Sequence, residues 1–301
     1  MGWVLTSLAS SFIVAAVFVF AKRILMVHVP GVSGYRVLIG VIWVTIGAWV
    51  LLAMPWQSGT SDIAAAWAIV AGLCSGVSLS FLVTAVSKLE VSRAVAGFHT
   101  YPVFVAIMAI IFLGEHLSVL HWIAIVLVAV GGGLVMVGQK RVAVGSGNRM
   151  AITYVFLASA GIALGMLTSK VALNEMDFWN VHGLRSVFIA AVFLLPGLTP
   201  QGLRQVKVIL GNRTAVLLIL LAEGMIAPVA ITCMLFALSL GPAALVTTLL
   251  STQLVFVLLI SASLSTRYWN VIEEPLTREA LGLKSMSIAM VVGGTAVLTL
   301  A

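Results

Sequence analysis

Charged side chains are scarce in this chain: only 8% of its 301 residues are Asp, Glu, Lys or Arg, and nine of these are acids. A soluble domain carries about a quarter charged residues, so a normal water-facing surface cannot be assembled from this composition. Cysteine is nearly absent. The two present, Cys74 and Cys233, both fall inside apolar runs, which excludes a disulfide framework and a thiolate metal site. Also missing are a phosphate-binding glycine loop, a cluster of metal-ligand residues and a carboxylate pair at acid/base spacing. His116 and His121 stand off the i, i+4 spacing that places two ligands on one helical face. The sequence therefore predicts no enzyme, no cofactor and no metal. It predicts no nucleic-acid partner either, because the net charge of +7 is not gathered into a basic patch interleaved with aromatics.

Apolar residues are what the chain has in excess. They make up 62% of it and mean hydropathy is +1.20, so the solvent is a lipid bilayer. Crossing about 30 Å of hydrocarbon takes roughly 20 mostly apolar residues. Ten segments qualify, near residues 3–21, 35–54, 64–86, 94–113, 119–138, 151–172, 181–196, 215–238, 243–265 and 280–300, the seventh being short. Pro30-Gly31, Met54-Pro55, Gly145-Ser146-Gly147-Asn148, Pro196 and Pro200 punctuate them. The first segment starts at Trp3 without a basic leader and reads as a retained span rather than a signal peptide. Barrel-like alternation is absent, and backbone groups in lipid must be satisfied internally, so the spans are helices.

The chain also repeats itself. Lys22 and Lys170 end the first and sixth segments, and Arg36 and Arg185 open the second and seventh. Ala85-Val86-Ser87 aligns with Ala237-Leu238-Ser239, and Thr100-Tyr101-Pro102-Val103-Phe104 with Thr252-Gln253-Leu254-Val255-Phe256. The offset drifts only from 148 to 152 across a whole half. The halves are residues 1–142 and 151–301, joined by a linker at 143–150. An odd number of spans per half gives the two opposite orientations, the inverted-repeat layout of many secondary transporters. The expected fold class is thus an all-α integral membrane protein, with ten transmembrane helices forming two inverted five-helix repeats.

Ala85-Val86-Ser87-Lys88, Tyr101-Pro102-Val103-Phe104 and Phe112-Leu113-Gly114-Glu115-His116-Leu117-Ser118 resemble the EamA-type half-domain of the drug/metabolite transporter superfamily. Arg36 and Arg185 match the basic residue opening the second helix of such halves, and Glu115 its structural turn. In the second half the corresponding turn, at Glu274-Pro275-Leu276-Thr277, comes seven residues late. The resemblance covers essentially the whole chain. It implies that helices 1–4 and 6–9 line a cavity while helices 5 and 10 stand outside it, and that both termini are cytoplasmic. Charge predicts the reverse orientation in the plasma (inner) membrane. All 16 Lys and Arg except Lys170 and Arg185 fall on one side, and Lys/Arg-rich short loops stay cytoplasmic, which puts both termini outside.

Glu223 is the most informative single residue. It stands eight positions into its segment, about 12 Å along a helix, where an ionisable group costs at least ~2.5 kcal/mol. The matching position in the first half is Ala71, so the fold does not require an acid there. A coupling carboxylate or a binder of substrate cations is one reading; an interfacial acid is the other. Pro228 lies close enough to open the helix beside it. His99, Thr100 and Tyr101, with their repeat mates Ser251, Thr252 and Gln253, could orient a polar substrate, as could Ser78, or could simply bond helix to helix. Ser75 and Ser80 read as packing residues. Lys22, Arg36, Lys170 and Arg185 stand near predicted helix ends, and would snorkel to the interface or act as gate residues. Gly131-Gly132-Gly133 and Gly293-Gly294 are packing surfaces or a homodimer contact.

The expected function is secondary transport of a small polar metabolite, an amino acid or a relative of one, exported by alternating access. The alternatives are an organic cation transporter using Glu223, and a lipid-intermediate flippase or non-transport membrane partner.

Overall fold

A computed structural model of the chain describes residues 2–54, 56, 60–137, 146–264 and 278–300. The turn at Glu274–Thr277 and residues 143–145 of the linker lie outside the described residues.

Among the described residues the secondary structure is entirely helical: α1 Gly2–Arg23, α2 Val32–Ala53, α3 Asp62–Lys88, α4 Val91–Phe98, α5 Tyr101–Leu113, α6 Val119–Val137, α7 Ser146–Glu175, α8 Phe178–Gly197, α9 Pro200–Leu210, α10 Arg213–Ile219, α11 Ala227–Leu240, α12 Ala243–Leu250, α13 Gln253–Leu264 and α14 Arg278–Leu300. A π turn, Ile24–His28, prolongs α1, and a second, Leu220–Ile226, joins α10 to α11. Eight stretches are long and apolar enough to span a bilayer: Gly2–His28, Val32–Ala53, Asp62–Lys88, Val91–Leu113, Met150–Glu175, Phe178–Gly197, Arg213–Leu240 and Ala243–Leu264. Two shorter apolar helices, Val119–Leu134 and Ser285–Val297, occupy the fifth and tenth expected positions.

Capping residues set several helix starts. Ser61 Oγ accepts from the Ala64 amide at 3.1 Å, and Asp177 accepts from that of Trp179 at 2.9 Å. The Asp177 cap begins α8 three residues before the hydropathy edge, so the seventh span has 20 residues and is not short. Pro196 lies inside its last turn rather than ending it. A surface helix also escaped the hydropathy reading. Thr199 caps α9 with Pro200 at its first position, a start signal legible in the sequence. Gln205 of α9 accepts a hydrogen bond from the Gly34 amide at 2.8 Å and so fastens α9 over the start of α2. Gly114, at φ +64°, ends α5 in the left-handed conformation.

The core forms where α2 packs on α8, α3 on α7 and α8, α1 on α11, and α6 on α14. Close approach of α2 and α8 depends on small residues: a Cβ at Gly47 would lie 2.9 Å from the Gly183 carbonyl oxygen. Gly131, Gly132 and Gly294 are used in the same way inside the chain, against Ser287, Ala96 and Ala124 respectively, whereas Gly133 and Gly293 have nothing within 4 Å.

Candidate functional site

Two helices of the bundle are broken at corresponding places. α4 ends at Phe98 and α5 begins at Tyr101; α12 ends at Leu250 and α13 begins at Gln253. Both breaks are tightened by i to i−3 bonds, Thr100 to Gly97 at 3.3 Å and Thr252 to Leu249 at 3.0 Å. Pro102, at the second position of α5, lacks only an amide that a helix start leaves unused. The breaks meet each other: His99 Nδ1 lies 3.2 Å from Ser251 Oγ. Thr100 Oγ1 is 2.9 Å from Ser159 Oγ, while Ser11 donates to the Leu249 and Leu250 carbonyls. Thr252 turns back on the Leu249 carbonyl. His99, Tyr101, Ser251, Thr252 and Gln253 are buried, and this set lines neither of the two cavities described below. The sequence-predicted polar cluster is thus brought together, but as a packed junction between broken helices. His99 Nε2 and Gln253 Nε2 keep no partner there.

Ser78, expected with the same set, donates to the Ala158 carbonyl at 2.6 Å and joins α3 to α7. Ser10 of α1 donates to the Ala230 carbonyl of α11 at 2.8 Å.

The basic residues read as gates divide into two kinds. Lys22 Nζ donates to the Val86 and Leu89 carbonyls, each at 2.8 Å, and so closes the C-terminal end of α3. Lys170 Nζ does the same for α11, at 2.8 Å from the Leu238 oxygen and 3.0 Å from that of Gly241. Both cations sit where the last carbonyls of a helix lack intrahelical partners. Arg36 donates to the Ser80 carbonyl and to Thr84 Oγ1 at 2.9 and 2.6 Å. Arg185 departs from the sequence reading, because the extended start of α8 places it a good 10 Å into that helix. It is 0% exposed. Glu115 accepts from the Ala243 and Ala244 amides at 2.5 and 3.1 Å, capping α12 across the chain.

Glu223 belongs to the π turn that precedes Pro228. Without an amide hydrogen, Pro228 cannot continue the regular ladder, and Ala227 donates instead to the Ala222 carbonyl, five residues back. Such π turns re-aim one residue and recur at functional sites. The carboxylate is buried and accepts from Tyr35 Oη at 2.7 Å. It faces a cavity of about 80 Å³ whose other lining residues, among them Phe18, Trp43, Leu79, Phe193 and Ile231, are all apolar. That volume admits several waters or a short hydrocarbon group. The cavity lies between α1, α2 and α3 on one side and α8 and the π turn with α11 on the other. A second, more open cavity of about 370 Å³ lies at the start of α8, with Thr6, Trp179, Thr232 and Ser239 in its wall.

Sequence reasoning missed Tyr35, which a search for a donor to the lone acid would have offered, and set Ser75 aside as packing although it meets Arg185. Among the described residues no group of three or more His, Cys, Asp or Glu could hold a metal ion.

A family model described as the EamA-like transporter family matches residues 1–137 and 149–270. A solved crystal structure is similar at 17% identity over 98% of this chain and 96% of that one, with a TM-score of 0.63, a likeness of fold. None of the curated proteins matches the chain.

Proposed function

Because the chain belongs to the EamA-like transporter family, we propose that it is a ten-helix secondary transporter whose two inverted five-helix halves move a small organic solute by alternating access. The halves are residues 1–142 and 151–301. The two matched family stretches support that division, and so do paired contacts. Position 10 of the first half corresponds to 158 of the second, and 78 corresponds to 230. Ser10 bonds the Ala230 carbonyl and Ser78 bonds the Ala158 carbonyl, which is one contact made twice with the serine on opposite partners. The Lys22 and Lys170 caps repeat in the same way.

The observation that carries the mechanism is Glu223, bonded to Tyr35 at the edge of an apolar cavity between the halves. A buried carboxylate able to exchange a proton is a coupling group, since its charge must be neutralised or partnered whenever the cavity closes. The apolar lining narrows the sequence-based metabolite to one with a hydrocarbon body, such as an amino acid with an apolar side chain. In proteoliposomes holding the full chain, uptake and efflux of such amino acids should respond to an imposed pH gradient. Glu223→Gln should abolish that response; a variant that follows the gradient like the parent protein sinks the coupling role. The same assay reads direction, which this proposal takes as export.

The cavity's lone acid among hydrocarbon walls also favours a second reading, a lipophilic organic cation bound directly by Glu223. Under it, Glu223→Gln loses binding of tetraphenylphosphonium and not merely its response to the gradient.

A further inference from the structure

Arg185 is a buried cation with most of its hydrogen-bonding capacity unused. One nitrogen, Nη2, donates to Ser75 Oγ at 2.9 Å, whereas Nε and Nη1 are buried without a partner. No acid among the described residues is paired with it. A guanidinium has five N–H donors arranged as two forked edges. Whichever Nη2 hydrogen serves Ser75, the other edge keeps two parallel donors free. One turn earlier on α8, His182 is also buried; its Nε2 lies 3.4 Å from Thr232 Oγ1 and its Nδ1 is unpartnered. An uncompensated charge in such a place costs several kcal/mol unless an anion meets it.

The position of this cluster is as telling as its chemistry. On α8, Trp179 lines the open cavity and Phe193 the apolar one, and Arg185 lies between them. On α11, Thr232 faces the open cavity and its neighbour Ile231 the apolar one. Along α8 the buried Arg185 thus falls between a residue of the open cavity and a residue of the apolar chamber, and it lines neither in this structure.

We propose that Arg185, positioned by Ser75 and flanked by His182, is an anion subsite that takes the carboxylate of an organic solute whose apolar body extends toward the chamber lined by Phe193. A planar carboxylate matches the fork through two parallel N–H···O bonds, which a spherical ion cannot do. The assignment rests on the transport reading for its solute class, but binding alone tests it. The probe is isovalerate, a branched hydrocarbon body with a carboxylate, compared with its neutral amide, isovaleramide. Thermal unfolding of the purified full-length protein is followed against the concentration of each at constant ionic strength. Isovalerate should raise Tm saturably and isovaleramide should not. Arg185→Gln should raise the half-saturating isovalerate concentration by about tenfold or more, as loss of a charge-assisted hydrogen-bond pair implies. Arg185→Lys, which keeps the charge and loses the fork, should fall between. Equal stabilisation by the amide, equal stabilisation by sodium chloride alone, or an unchanged half-saturating concentration in Arg185→Gln would each overturn the subsite. If Arg185→Gln does not fold, the acid–amide comparison on the parent protein decides. Transport is not measured, so a failure of the Glu223 experiment leaves this result standing, and the reverse holds.

Discussion

Two charges taken out of water, Glu223 and Arg185, are treated differently by their surroundings. The acid has a donor, Tyr35, from a helix 188 positions away in sequence. The base has one hydroxyl and two idle nitrogens. Removing the tyrosine hydroxyl leaves a carboxylate oxygen buried with less compensation, so Tyr35→Phe should destabilise the protein by about 1–3 kcal/mol. Thermal unfolding of the single and double variants checks this: when Glu223→Gln is present, the cost of Tyr35→Phe should shrink, and strict additivity would show that the pair is not coupled. Glu223 was legible in the sequence because a lone acid amid apolar residues is conspicuous. Tyr35 was not, since nothing local marks which of four tyrosines turns toward it.

At the scale of elements, the bundle closes its helix ends with side chains drawn from other helices. Lys22 serves α3, Lys170 serves α11 and Glu115 serves α12. The sequence put both lysines at segment ends, as interfacial or gating residues; the helices run on past them, to His28 and to Glu175. In the structure each donates to the last carbonyls of a neighbouring helix. Lys22→Met and Lys170→Met should each lower stability by about 1–3 kcal/mol, because each orphans buried carbonyls, and Tm should fall by similar amounts in the two variants. Glu115→Ala should also lower Tm, because the first amides of α12 lose their acceptor. An unchanged Tm in any of these would mean that water replaces the cap. His99–Thr100 and Ser251–Thr252 stood out in the sequence as a repeated polar pair, inside segments read as continuous, and the helix breaks there came from the structure. Their role as a junction could not be read there, since it depends on the two breaks meeting.

For the molecule as a whole, the strongest statement the sequence makes about placement is its charge asymmetry. If the loops rich in Lys and Arg are cytoplasmic, both termini face outward. A reporter active only in the cytoplasm, fused to the C-terminus, should then be silent. Activity from that fusion would support the opposite orientation that the family resemblance implies. The family and an integral multi-pass helical architecture were both readable before any coordinates, from hydropathy and from the Tyr101–Phe104 and Phe112–Ser118 motifs.

Hydropathy acts over a window and needs no partner, so the sequence by itself determined that this is a helical bilayer protein, where most spans run, and that an acid sits deep within one of them. Which polar groups meet was decided only by the tertiary structure. A helix rises 1.5 Å per residue and turns about 100°, so a start misjudged by a few positions, as for α8, changes a side chain's depth, and one extra residue in a π turn, as before Pro228, carries a side chain onto another face. Arg185 moved from a predicted helix end to the interior because α8 starts earlier, and Glu223 came to face Tyr35 within the π turn; hydropathy records neither.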